Sequence, residues 1–326
     1  MRIDLHAHLA GIGSGASGCR ISPAFRRSIA FRALAHLHHI STAGDADSEW
    51  AARLAAHVRA SELDAAVALG FDGVYDARGR LDDARTQLVV PHRWVFEVCR
   101  RHPELLPGPS VNPRRGDALE ALEECIAEGA VLLKWLPATQ GIDPADPAHR
   151  AFYLRMANAG LPLLVHSGGS ENTFAEVAPE LKSLERLRLP LECGVTVVVA
   201  HLGAPVAFRR DPDQRPLLRA WLAEYPHLWL DDSGMCNPAR ATALGHGAHD
   251  ADLADRTLHG SDFPVPCNAV WFARRIPPRR IISLERIRNP LQRDLSIKRA
   301  LGWSDDALTR AGRVLPRLVL ALPGRP

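Results

Sequence analysis

Eight short apolar runs alternate along the chain with helical patterns, making about eight strand-helix units. The runs cover residues 1–9, 65–71, 105–112, 130–134, 161–166, 195–201, 228–232 and 256–262. Helical spacing is read over 22–40, 48–63, 90–102, 116–128, 148–159, 173–189 and 216–225, then over 289–301 and 304–315. Short continuous apolar runs are what parallel strands need when both faces are covered. Such alternation argues for a parallel α/β sheet, and eight units favour a closed (β/α)8 barrel over an open sheet. No linker or shift of composition divides the 326 residues, so 1–326 reads as one barrel domain.

In such a barrel the C-terminal strand ends converge on one mouth. The residues at these ends are His6 and His8, Lys134, His166, His201 and Asp262. His6 and His8 are two apart, so an extended strand turns both to one face and Ile3, Leu5, Ala7 and Leu9 to the other. A single strand-end histidine is ordinarily a satisfied core residue. Four histidines, a lysine and a carboxylate on five strand ends point instead to a divalent metal site, for which zinc is the usual ion. Trp135, Ser167, Asn172 and Asp232 also follow or end strands and are candidates to line the same pocket. Arg20, Arg78 and Arg114 are candidates to hold an anionic substrate.

Other features weigh against other functions. Gly13–Gly18 has the spacing G-x-G-x-x-G, but histidines crowd the strand before it, and the next acid is Asp45. A dinucleotide site needs an apolar strand, a helix opening within the motif and an acid about 20 residues on, so the segment reads as a loop. The net charge of +3 and the scattered arginines give no nucleic-acid footprint. No apolar run approaches a membrane span, and the chain opens directly in a strand, which leaves no leader expected. The dispersed cysteines, Cys19, Cys99, Cys125, Cys193, Cys236 and Cys267, read as free thiols of a cytoplasmic protein. Cys19, Cys236 and Cys267 fall in loops near the mouth and are taken as bystanders. His36 and His39 are taken as an exposed helix face.

The chain resembles the amidohydrolase superfamily, in its amidohydrolase-related branch of hydrolases and nonoxidative decarboxylases. The resemblance rests on Asp4-Leu5-His6-Ala7-His8, Leu133-Lys134-Trp135, Val165-His166-Ser167-Gly168, Ala200-His201-Leu202-Gly203 and His259-Gly260-Ser261-Asp262-Phe263-Pro264. It implies a first metal on His6, His8 and Asp262 and a second on His166 and His201, bridged by Lys134 carboxylated on its amine. It also implies a metal-activated hydroxide that attacks an amide, lactone or other ester, with Asp262 as proton shuttle and a homodimer as a fair expectation. A one-metal version uses His6, His8, His166 and Asp262, leaves His201 as acid, base or orienter, and pairs Lys134 with Asp262 or Asp232. That version suits a decarboxylase of a small aromatic or enoic acid. Lys134 favours two ions over one. Zinc is the expected ion, with manganese, iron and nickel as alternatives, and the expected partner is a small-molecule substrate. A barrel that binds metal without catalysing is the alternative from another class.

Overall fold

The computed structural model describes residues 1–321 except 43, 172, 208, 248 and 249. Its barrel strands are β1 (Ile3–His8), β2 (Ala65–Leu69), β3 (Leu105–Gly108), β4 (Leu133–Trp135), β5 (Leu163–Val165), β6 (Val197–Val199), β7 (Leu228–Asp231) and β8 (Thr257–Leu258), and a separate antiparallel pair joins Arg20–Ile21 to Leu88–Val89. β1 to β3 pair in parallel, and so do β4 to β8. Two seams join these groups. Between β3 and β4, Val131 N donates to Pro107 O and Lys134 N to Pro109 O, both at 2.9 Å. Between β8 and β1, Leu5 N donates to His259 O at 2.9 Å, while Asp262 N donates to His6 O and His8 N to Phe263 O, each at 2.7 Å. The strands therefore close as the (β/α)8 TIM barrel that the alternation implies.

Helices Ala46–Arg59, His92–Arg101, Ala118–Ala127, Arg150–Asn158, Arg188–Glu192, Arg215–Glu224, Ala241–Gly247 and Pro290–Ala300 follow the eight strands in turn. Local chemistry sets several of their starts. Asp45 accepts from Ser48 N, Asn289 accepts from Leu291 N and Gln292 N ahead of Pro290, and Pro216 stands in the first turn of Arg215–Glu224. Among the described residues, no helix is long and apolar enough to cross a membrane.

Ile3, Leu5, Val67, Leu106, Leu132, Leu164, Val198 and Leu258 form one buried cluster, with residues from seven of the eight strands or their starts. Counting by twos from this layer reaches Lys134, His166 and Asp262, so these side chains continue the inward face up to the mouth. β1 breaks this phase. Ile3 and Leu5 belong to the inner layer, whereas Ala7 and Leu9 pack in a different cluster. The register shifts between Asp4 and Ala7, so the expected single face for Ile3, Leu5, Ala7 and Leu9 is not kept. This irregularity lets both histidines reach the mouth although Leu5 points inward.

Three expected helices differ; the 304–315 pattern is two short helices, Asp306–Thr309 and Ala311–Val314. The 22–40 pattern is two helices, Pro23–Arg27 and Ile29–Leu37, because Ser22 and Ser28 each accept the backbone N–H three residues on and cap a separate start. The 173–189 pattern contains only the 3-10 turns Pro179–Lys182 and Leu184–Leu187 before the next helix starts at Arg188. Val177 N and Ala178 N both donate to Ala138 O, and Pro179 has no N–H to give. The glycine-rich loop folds onto Asp47: Ile12 N and Ser17 Oγ donate to its carboxylate at 2.6 and 2.5 Å and Gly13 N at 3.1 Å. Donors that a phosphate would need are therefore already engaged.

Candidate metal centre

The strand ends place His6, His8, Lys134, His166, His201 and Asp262 around one point at the barrel mouth. His6 Nε2 lies 3.1 Å from His8 Nε2 and 3.1 Å from Lys134 Nζ. Asp262 Oδ1 is 3.4 Å from both of those histidine nitrogens. His166 Nδ1 and His201 Nε2 face each other at 3.2 Å.

The outer ring nitrogens fix the proton positions. His6 Nδ1 lies 2.7 Å from Asp231 Oδ2, His201 Nδ1 lies 2.8 Å from Ser233 O, and His166 Nε2 lies 3.2 Å from Gly169 O. Each partner is an acceptor, so each of these nitrogens donates. The inner nitrogens of the three rings are then lone pairs aimed inward when the rings are neutral. With both rings in these tautomers, His166 Nδ1 and His201 Nε2 oppose each other as acceptors at 3.2 Å, and Glu171 Oε2 stands 3.4 Å from His166 Nδ1, an arrangement that a cation relieves. His6, His8 and Asp262 supply three donor atoms within 4.8 Å of one another. The donor set fits divalent ions.

His6, His201 and Asp231 also cluster within 4.8 Å, but the Ser233 hydroxyl fills that space. It lies 2.8 Å from His6 Nδ1, 2.9 Å from His201 Nδ1 and 2.5 Å from Asp231 Oδ1. This is a support for the two rings. Asp231 Oδ1 also accepts from His201 N at 2.8 Å, which holds a backbone where His201 and Leu202 have φ of 57° and 55°. Asp262 has φ 62° as well. Left-handed conformations at non-glycine residues cost on the order of 1–3 kcal/mol each and concentrate at functional sites. Opposite Asp262, Gly234 leaves room that a Cβ would close, at 2.3 Å from Asp262 Oδ2.

Burial drives His6 and His201 well below their ordinary values, and nearby cationic groups add to the effect. His166 is also lowered, mainly by burial. Burial lowers Lys134 from 10.5 to about 8, although Asp231, Asp262 and Glu171 oppose it. For Asp262 burial acts upward, but the hydrogen bond from His8 and the charges of His6, His8 and Lys134 outweigh it and hold the carboxyl below its usual range. The cluster thus combines neutral imidazoles, an ionised carboxylate and an amine poised to lose its proton.

Several sequence candidates stand elsewhere. Asp232 points away from the mouth and pairs with Lys298 at 2.9 Å, so it does not pair with Lys134 as the one-metal version allowed. Lys134 has no carboxylate within 4.0 Å among the described residues, Asp262 included. Trp135 packs on Phe152 and Tyr153 and donates to Val111 O. Ser167 Oγ donates to Lys182 O. Asn172 lies outside the described residues. Arg20 pairs with Asp83 on the surface, and neither Arg78 nor Arg114 lines the cavity. Cys19, Cys236 and Cys267 are buried, their thiols pushed up by desolvation, and none lines the cavity. The sequence reading missed Asp231, Ser233, Glu171 and Arg240. Asp231 was available by phase: Trp229 packs on the inner cluster, so the residue two further on faces the mouth. Arg240 and Glu171 lie in loops and carry no such signal.

A cavity of about 510 Å³ opens from His8, Lys134, His166, His201 and Asp262. Phe25, Phe31 and Leu34, from the two short helices after β1, line it together with Phe71 and Phe174. Arg240 lines it too, only 4% exposed.

In overall fold the chain is similar to an uncharacterised TIM-barrel protein from Bordetella bronchiseptica, at 17% identity and TM-score 0.62 over 99% of each chain. A candidate 2-pyrone-4,6-dicarboxylic acid hydrolase from Pseudomonas putida aligns at 16% identity and TM-score 0.54, over 98% of this chain and 97% of that one. A 5-carboxyvanillate decarboxylase from Sphingomonas paucimobilis aligns at 12% identity and TM-score 0.52, over 97% and 98%. No match was found among curated proteins. The model of the family described as Amidohydrolase matches residues 3–282, and the chain belongs to that family.

Proposed function

We propose that the protein is a metal-dependent hydrolase that opens an amide, lactone or other ester bond. The observation that carries this reading is Lys134. Its amine is fully buried, 3.1 Å from His6 Nε2, and has no ion-paired carboxylate among the described residues. A buried ammonium with no counter-ion is costly. Its neutral form can add to carbon dioxide, release one proton and become a carbamate, whose two oxygens suit a place between His6–His8–Asp262 and His166–His201.

Bound divalent ions supply Lewis acidity, lowering the pKa of a water and polarising a carbonyl oxygen. Zinc suits a set rich in imidazole, with other divalent ions as alternatives. The chain's own groups handle protons and orientation. Asp262, kept ionised, accepts a proton from the attacking water and returns it to the leaving group. Asp231 and Ser233 fix the His6 and His201 rings so that their inner lone pairs stay available. The phenylalanines over the cavity exclude bulk water from the reacting bond.

Metal content per chain decides between this reading and the one-metal decarboxylase. The protein is prepared with zinc and bicarbonate, beside Lys134→Ala. Two ions in the wild type, falling to one or none in the variant, support the carbamate and the hydrolase. One ion in both, together with CO2 release from aromatic or enoic acids, overturns them.

A further inference from the structure

We propose that Arg240 selects the substrate, and that the substrate is a single anion joined to a large apolar body. This rests on the barrel mouth being the catalytic site, as proposed above. Arg240 Nη2 donates to Ser170 O at 2.9 Å, while its Nε is buried with no acceptor. No carboxylate pairs with Arg240 within 4.0 Å among the described residues. A guanidinium stays charged in a protein, so burial leaves it needing an anion or a strong acceptor. Arg240 faces the cavity, where a substrate can supply one.

The place of Arg240 adds detail. Its charge acts on His166 and His201, and the carboxylates of Glu171, Asp262, Asp211 and Asp231 act on it, Glu171 most strongly. It therefore stands at the metal end of the cavity, and an anionic oxygen held there lies beside the reacting bond. The lining also holds an aromatic surface, in which Phe25 lies 5.9 Å from Phe31 and 4.8 Å from Phe174, and Phe71 4.9 Å from Phe174, with Leu34 and Trp271 lining the same cavity. No guanidinium other than Arg240 is present among the described lining residues, and Glu171 adds a carboxylate. A dianion reaching from Arg240 into that aromatic surface would leave its second charge among phenyl rings, which do not compensate it. A volume of about 510 Å³ falls in the ordinary range for one drug-sized ligand. The class that fits is a monocarboxylate, or a similar single anion, with an aliphatic or aromatic body.

Binding separates this inference from the reaction itself. The zinc-loaded protein is titrated by calorimetry with hexanoate, octanoate, decanoate, octanedioate and octanamide. The expected result is affinity rising about three- to fourfold per methylene along the monoacids, with octanedioate at least tenfold weaker than octanoate. Arg240→Gln weakens octanoate tenfold or more and octanamide much less. Phe174→Ala flattens the chain-length series, weakening decanoate most and hexanoate least. Affinity without chain-length dependence overturns the proposal, as does octanedioate binding as tightly as octanoate. So does an Arg240→Gln variant that loses octanoate and octanamide alike. If Arg240→Gln does not fold, the wild-type series and Phe174→Ala decide. If esters are not hydrolysed yet this pattern holds, the hydrolase reading falls and the substrate class stands.

Discussion

Lys134 and Lys298 are the two lysines buried to 1% and 2% exposure, and their surroundings are opposite. Lys298 Nζ meets Asp232 Oδ1 at 2.9 Å, Asp294 Oδ2 at 2.5 Å and Gly260 O at 2.6 Å. Burial acts to lower its pKa, but the two carboxylates outweigh it and the ammonium is held above its usual range. Lys134 has no such pair among the described residues, and burial brings it down to about 8. Asp231 and Asp232 show the same division one residue apart. The first faces the mouth and supports His6; the second faces outward and neutralises Lys298. A buried cation that is already paired fixes a backbone, here the turn at Gly260 that leads to Asp262. A buried cation on a cavity wall without a pair is available for chemistry.

The largest expected effect is on the open side. Asp262→Asn should lower turnover about 10²- to 10⁴-fold, the range for losing a positioned acid–base group, with the fold kept by circular dichroism. Turnover within threefold of wild type would remove Asp262 from the proton path. On the closed side, Lys298→Met leaves Asp232 and Asp294 without their cation. It should destabilise the protein by about 3–5 kcal/mol in urea unfolding. An unchanged midpoint would mean the network is not structural, and the comparison between the two lysines would fail.

The two neighbouring aspartates sharpen the contrast. Asp231→Asn removes the carboxylate that orients His6 and should weaken zinc binding about 10- to 100-fold in a competitive chelator titration. An unchanged zinc affinity would show that Ser233 alone holds the ring. For Asp232 the signal is in acid. Burial pushes it up, but Lys298 and His259 outweigh this and hold it at about 2 instead of 3.8. Between about pH 4 and pH 2 the unfolded chain binds a proton that the folded chain does not, so stability falls as pH falls. The contribution is about 2 kcal/mol, complete above pH 4 and lost through pH 2. Asp232→Asn should flatten this part of the acid limb, read as unfolding midpoints across the window.

The sequence made the barrel and most of the donor set legible for one physical reason. Strand residues alternate, so an apolar inner layer extends by twos into Lys134, His166 and Asp262. The same count marks Asp231 over Asp232, provided the inner face of β7 is read from Trp229 and not from Leu228 and Leu230. His6, His8 and His201 were legible as residue types, but their aim depends on a register shift and on left-handed backbone that no local pattern announces. Arg240 and Glu171 were hidden because loop geometry places them, and among many arginines nothing local distinguishes Arg240. The Lys298–Asp232 pair spans 66 residues and forms only when β7 and the last barrel helix meet.

The smallest effect expected is the most direct test of the contrast. Lys134→Met keeps an unbranched stem of similar length and deletes a buried amine that has no carboxylate partner among the described residues. In metal-free, bicarbonate-free protein at neutral pH, the variant should therefore be as stable as wild type or more stable by about 1 kcal/mol, because uncompensated charge leaves the interior. The same change at Lys298 should act in the opposite direction, since there the ammonium is the group that two carboxylates need. Adding zinc and bicarbonate should reverse the order at position 134, because only the lysine can be carboxylated and gain from ligand binding to the native state. If both substitutions destabilise the metal-free protein equally, Lys134 is a structural ion partner after all. Two opposite signs, with the first one reversed by metal, would tie the absence of a partner at Lys134 to its role.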